Sequence, residues 1–270
     1  MNRSWQVRAW YAADAVVRRV RPVPLRVAAR SIHAGVCLGL ASRELLVAVD
    51  EAAYASHRYA YHDTDEHNLR GLFDWELAAL GSAFPQQGRI LVTSAGGGRE
   101  VVALWRRGYE VVACECNERL RHRANALLST LGADLEVLPV ERDHCLVRPG
   151  TFDAAVVGWG SYTFIRGTAR RRAFLTELAA SLRPGAPALL SFFARRGDPL
   201  RFRAIRTLGN ALARISGGEK VELGDVVDPT WQHYVARGEL EQEAAHAGLL
   251  LERWSQDGYA HAIVRRTPRG

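Results

Sequence analysis

Apolar positions in the first sixty residues recur at helical spacing. They predict helices over Trp5–Val20, Leu25–Ala34 and Ser42–Ser56. Pro22 and Pro24 separate the first two, and Ser42 has the chemistry of an N-cap for the third. A polar, aromatic and histidine-rich stretch follows, YASHRYAYHDTDEHNLRGLFDWE, within which Phe73 opens a helix that runs to Leu80 and ends near Gly81. From Gln87 the period changes. Short β-branched runs predict strands at Arg89–Ser94, Glu110–Cys116, Leu135–Val140, Phe152–Gly158 and Pro187–Phe193. Helical patterns at Arg99–Arg107, Asn117–Leu131 and Thr168–Leu182 lie between them. That alternation predicts a parallel sheet with right-handed crossovers. Further helices are expected over Pro199–Ile215 and Glu239–Ala247. Two last strands, Leu249–Trp254 and Ala260–Arg266, are joined by a turn at Asp257-Gly258. The chain therefore reads as α/β, a mostly parallel sheet ending in an antiparallel hairpin. Residues 1–86 are expected to form a helical cap and residues 87–270 the core.

Composition changes this picture little. The 270 residues are 48% hydrophobic and 24% charged, as in ordinary soluble proteins. The apolar stretch from His33 to Ser42 lies between Arg30 and Arg43, far short of the ~20 residues of a membrane span. The opening residues lack the apolar region of a signal peptide, so a cytoplasmic location is expected. The net charge of +7 suggests an RNA partner. However, the arginines are spread along the whole chain and Lys220 is the only lysine, so no phosphate-binding stripe stands out. The run Arg170–Arg172 reads as a solvated helix face. Cys114 and Cys116 form C-x-C with His144 and Cys145 further on, but this departs from zinc-site spacing. No metal site and no disulfide framework are expected.

The candidate chemistry begins at ILVTSAGGGREVVAL. A strand entering glycines and then a helix presents backbone amides and a helix N-terminus to a ligand. Glu115, ending the second strand, is where nucleotide-binding sheets put a carboxylate against ribose hydroxyls. A dinucleotide fingerprint would need a small third residue where Val101 stands, which weighs against a dehydrogenase. These features, the turn Leu182-Arg183-Pro184-Gly185 and the tail HYVARGELEQEAAHAGLLLERW resemble the class I S-adenosylmethionine-dependent methyltransferases. The resemblance spans roughly Gln87 to Arg266 and implies a Rossmann-like seven-stranded, mostly parallel sheet. It also implies S-adenosylmethionine as cofactor. The family loop, Asp/Glu-x-Gly-x-Gly-x-Gly, puts its last two glycines on Gly96 and Gly98. Its first glycine falls on Ser94 and its acid on Val92, two departures. Cofactor contacts are thereby expected from Ser94, Ala95, Gly96, Gly97 and Gly98, and from Glu115 and Cys116. Asp143 or Glu141 would meet the adenine, and Gly158 and Trp159 would stand at the end of the fourth strand.

Methyl transfer from a sulfonium is an in-line displacement, so positioning supplies much of the rate, and a base is needed only where the acceptor must lose a proton. Tyr59, Tyr61, His62, Asp63, His67 and Asn68 crowd together ahead of the sheet, with Arg70 and Trp75 beyond. His62, His67 and His233 are the candidate bases, with ordinary pKa values of ~6.5. Tyr162 is a candidate to orient an acceptor hydroxyl. The expected activity is O- or N-methylation of a small molecule enclosed between the sheet's carboxyl edge and an N-terminal lid. The alternatives are an RNA or protein methyltransferase, or a non-catalytic binding protein that keeps the fold. The sequence carries no sign of oligomeric state.

Overall fold

The structure, a computed structural model, describes residues 4–56, 59–197 and 199–268. His57 and Arg58 of the histidine-rich stretch lie outside the described residues. The chain forms two compact units, one of residues 1–59 and 195–236, the other of residues 60–194 and 237–270. This differs from a division at residue 86, and packing supplies the reason. Residues 60–86 pack on the sheet-bearing unit, while the helix after residue 199 packs on the N-terminal helices.

The first unit holds α1 (Ser4–Arg18), α2 (Val23–Leu40) and α3 (Arg43–Tyr54). Ser42 caps α3 as expected, accepting the Leu45 amide at 3.3 Å. α2 runs six residues past Ala34 because its last turns lie against a later helix of the same unit, Leu200–Ser216. The approach is close enough to require glycine. A Cβ on Gly39 would stand 2.6 Å from the Gly209 carbonyl oxygen. A hairpin not foreseen from the pattern, Asp225–Val227 with Trp231–Val235, completes this unit. Its first strand has three residues, too few to show a period, and Pro229 stands in the turn between the two.

The second unit carries α4 (Asp65–Leu69), α5 (Asp74–Ala83), β1 (Arg89–Thr93), α6 (Arg99–Trp105), β2 (Glu110–Glu115) and α7 (Glu118–Thr130). Then come β3 (Val137–Pro139), β4 (Ala154–Val157), α8 (Thr168–Ser181), β5 (Pro187–Ser191) and the two-residue β6 (Phe193–Ala194). In chain order the first unit's α9 (Leu200–Ser216), β7 (Asp225–Val227) and β8 (Trp231–Val235) intervene. α10 (Arg237–His246), β9 (Leu249–Ser255) and β10 (His261–Arg266) return to the second. Its sheet has seven strands in the order β3-β2-β1-β4-β5-β10-β9. β1 to β5 are parallel, and β10 is antiparallel to both of its neighbours. β4 and β5 are buried throughout, as strands covered on both faces must be. Ile90, Val92, Val101, Leu104, Leu128, Val156, Leu189 and Ile263 lie in one core, which fixes the loops at the strands' carboxyl ends. Among the described residues no helix is long and apolar enough to cross a membrane.

Candidate cofactor and acceptor site

The loop from β1 to α6 is built almost entirely of backbone bonds. Ala95 donates its N–H to Cys114 O at 3.1 Å, and Gly98 donates to Ala95 O at 3.0 Å. Ser94, where the family has glycine, sits at φ +56°, so it adopts the left-handed conformation that position demands. Opposite it, a Cβ on Gly158 would fall 2.0 Å from Ser94 O, which leaves room only for glycine. Gly96, at φ +55°, faces open space: nothing lies within 4 Å of where its Cβ would be. Glu115, 5% exposed, accepts the Gly96 N–H on Oε2 at 2.8 Å and the Asn117 N–H on Oε1 at 2.7 Å. Its carboxylate is thus fixed beside the open face of the loop, and each oxygen keeps a second lone pair.

Over Gly97 lies the segment ahead of α4. A Cβ there would stand 2.2 Å from His62 O and within 3 Å of the Asn68 amide. Asn68 donates Nδ2–H to His62 O at 2.8 Å, while its Oδ1 is buried without a hydrogen-bond partner. His62 and His67 meet edge to face with ring centroids 5.3 Å apart, and Tyr61 packs on both. Beyond them Trp159 is ringed by His67, Tyr61, Phe73 and Tyr259 at 5.0–6.3 Å, and its Nε1–H is buried without an acceptor. Burial, then the neighbouring His67, pushes the His62 pKa down to about 4, which corrects the expected ~6.5. Burial and Arg99 lower that of His67 as well.

Tyr162 and His233 are engaged in buried contacts of their own. Tyr162 is fully buried and donates its hydroxyl proton to Glu243 Oε2 at 2.6 Å, while Arg171 Nε donates to Glu243 Oε1 at 2.8 Å. Its proton is committed to a bond that ties the segment ahead of α8 to α10, so the acceptor-orienting role does not fit. Arg171 itself is fully buried, correcting the reading of the arginine run as solvated. His233 belongs to the first unit, fully buried, with Nδ1 2.7 Å from Asp225 Oδ1. Asp143 follows β3 at φ +67°, its carboxylate 4.0 Å from Arg170 Nε. Cys114 is buried and Cys116 exposed.

The pattern along the chain did not reveal a buried ionic group beneath this site. Arg99 Nη1 and Nη2 donate to Glu76 Oε2 and Oε1 at 2.7 and 2.6 Å, and Nη2 also donates to Glu100 Oε1 at 2.8 Å. The backbone N–H of Trp159 donates to the same Glu100 oxygen at 3.0 Å. Arg99 lies 4.1 Å above the Phe73 ring. Burial works against its charge, but Glu100 and Glu76 outweigh it and raise its pKa.

No family model matches this sequence, and no curated protein does. Solved structures do. One is an S-adenosylmethionine-dependent methyltransferase of Methanosarcina mazei, with a TM-score of 0.58 at 17% identity over 74% of this chain and 100% of that one. Another is the 1,6-didemethyltoxoflavin-N1-methyltransferase of Burkholderia thailandensis, solved with 1,6-didemethyltoxoflavin and S-adenosylhomocysteine. It has a TM-score of 0.56 at 18% identity, over 85% of this chain and 92% of that one. Streptomyces venezuelae DesVI matches with a TM-score of 0.52 at 15% identity over 83% and 98%. The chain has the class I S-adenosylmethionine-dependent methyltransferase fold.

Proposed function

We propose that this chain is an S-adenosylmethionine-dependent methyltransferase acting on a small-molecule acceptor. The observation that carries the reading is the glycine loop open at Gly96 with the Glu115 carboxylate hydrogen-bonded to it. A cradle without side chains, a fixed acid for ribose hydroxyls and an unpartnered acceptor at Asn68 suit this cofactor. When bound, the cofactor supplies an electrophilic methyl group. The chain's own residues then hold the acceptor dry and in line. Trp159, Phe73, Tyr61 and Tyr259 offer flat apolar faces for it, and the Trp159 Nε1–H can donate to one of its polar atoms. His62, neutral at working pH, can accept a proton at a ring nitrogen from an acceptor hydroxyl or amine. The Burkholderia enzyme, solved with 1,6-didemethyltoxoflavin, supports a small-molecule acceptor.

Calorimetry with S-adenosylhomocysteine tests the reading. The parent should bind it, and Glu115→Ala should weaken binding by about 1.5–3 kcal/mol, the scale of hydrogen bonds to a charged group. Equal binding by the two proteins would refute the site. Binding without turnover over a panel of acceptors would favour the non-catalytic alternative, and salt-sensitive RNA binding the nucleic-acid one.

A further inference from the structure

β1 offers this site no carboxylate. Val92, in the place of the family's acid, is fully buried in the core. Negative charge is concentrated instead at the start of α6, beside the glycine loop, where α5 supplies a second carboxylate. Glu100, the second residue of α6, is 4% exposed and bridges from that helix to the residue just beyond Gly158. Together with Glu76 and Arg99, each 2% exposed, it makes a buried group of two carboxylates and one guanidinium. The start of α6 offsets part of the excess negative charge. His62 and His67 do not offset it, since both are held neutral. Arg70, beyond Phe73, is exposed to water. A buried carboxylate without full compensation calls for a cation.

Asn68 is an independent sign of the same need. It is 1% exposed, its amide orientation is fixed by the bond to His62 O, and its Oδ1 accepts nothing. That oxygen lies over Gly97, 2.8 Å from where a Cβ would be. A buried acceptor left unpaired is costly, and a donor that arrives with a ligand relieves it. One chemical group answers both observations: a small cation with several N–H donors, meeting the loop at its α4 and α6 side.

On the cofactor reading given above, we propose that the Glu100 carboxylate and Asn68 Oδ1 receive the ammonium of the cofactor's methionine end. Both are positioning residues.

The test is calorimetry of parent, Glu100→Gln and Asn68→Leu with two probes, S-adenosylhomocysteine and its analogue carrying hydrogen in place of the amino group. The parent should bind the amino-bearing probe at least about tenfold more tightly, a difference typical of charge-assisted hydrogen bonds. Each variant should lose most of that preference while holding the deamino probe nearly as well as the parent does. The proposal is overturned if the parent shows no preference, or if both variants keep it in full. Circular dichroism establishes that each variant is folded. Should Glu100→Gln fail to fold for want of its ion pair, Asn68→Leu, uncharged and of similar volume, decides. A parent that binds neither probe refutes the cofactor reading itself, and this assignment with it.

Discussion

His62 is neutral at every pH above about 5, because protonating it would put a charge where burial and His67 both oppose it. If it accepts the acceptor's proton, kcat/KM should show an acid limb near pH 4 that His62→Gln removes. A limb at 6.5 in both proteins would assign the proton to another group. The identity of this histidine was legible in the sequence, but its environment was not. The same holds for Arg171, Glu76, Arg99 and Glu100. Charged residues on helices default to solvent, and nothing local announces a partner such as Glu243, 72 positions from Arg171. The place of Glu115 against the glycine loop was legible because strand, glycines and acid all lie within one short stretch of chain.

At the scale of elements, the glycine loop and α4 form one piece. Gly97 has no unusual backbone angle; it is glycine because His62 O and the Asn68 amide occupy the space of a side chain. Gly97→Ala should push the segment from His62 to Asn68 off the loop and weaken S-adenosylhomocysteine binding, by about 1–3 kcal/mol if overpacking sets the scale. Gly96→Ala meets no such obstacle but must hold φ +55°, so its cost should be conformational. Calorimetry on Gly97→Ala decides the matter, and unchanged affinity would mean the segment moves freely. The strands β1, β2, β3, β4, β5, β9 and β10 were readable from period and turn residues. The β7–β8 hairpin and the full length of α2 were not. The first is too short to carry a pattern, and the second is set by contact with a helix about 170 residues later.

For the whole molecule, titrating groups define a stability maximum. His33, His62 and His67 all have lowered pKa values, through burial first. Between about pH 6.5 and 4 the unfolded chain binds their protons more readily, so stability falls as pH drops through that window. Glu76, raised by burial, works weakly the other way. Burial pushes Cys37 up to about 12 and also raises Cys114 and Cys145, so above about pH 9 the unfolded state loses protons first and stability falls again. Thermal melts should therefore peak between about pH 6.5 and 9, and a maximum below 6 would contradict these shifts. The division into units, placed at residue 86 by the change of period, lies elsewhere because the first unit is assembled from two separated stretches of chain. That has a consequence in time. A ribosome finishes α1, α2 and α3 before it has made residues 60–194, and α9 comes only afterwards. At roughly 5–20 residues per second the wait is on the order of ten seconds. Throughout it, the face of α2 at Gly35 and Gly39 is without the helix it is shaped to meet, so that face stays uncovered on the nascent chain until α9 is made.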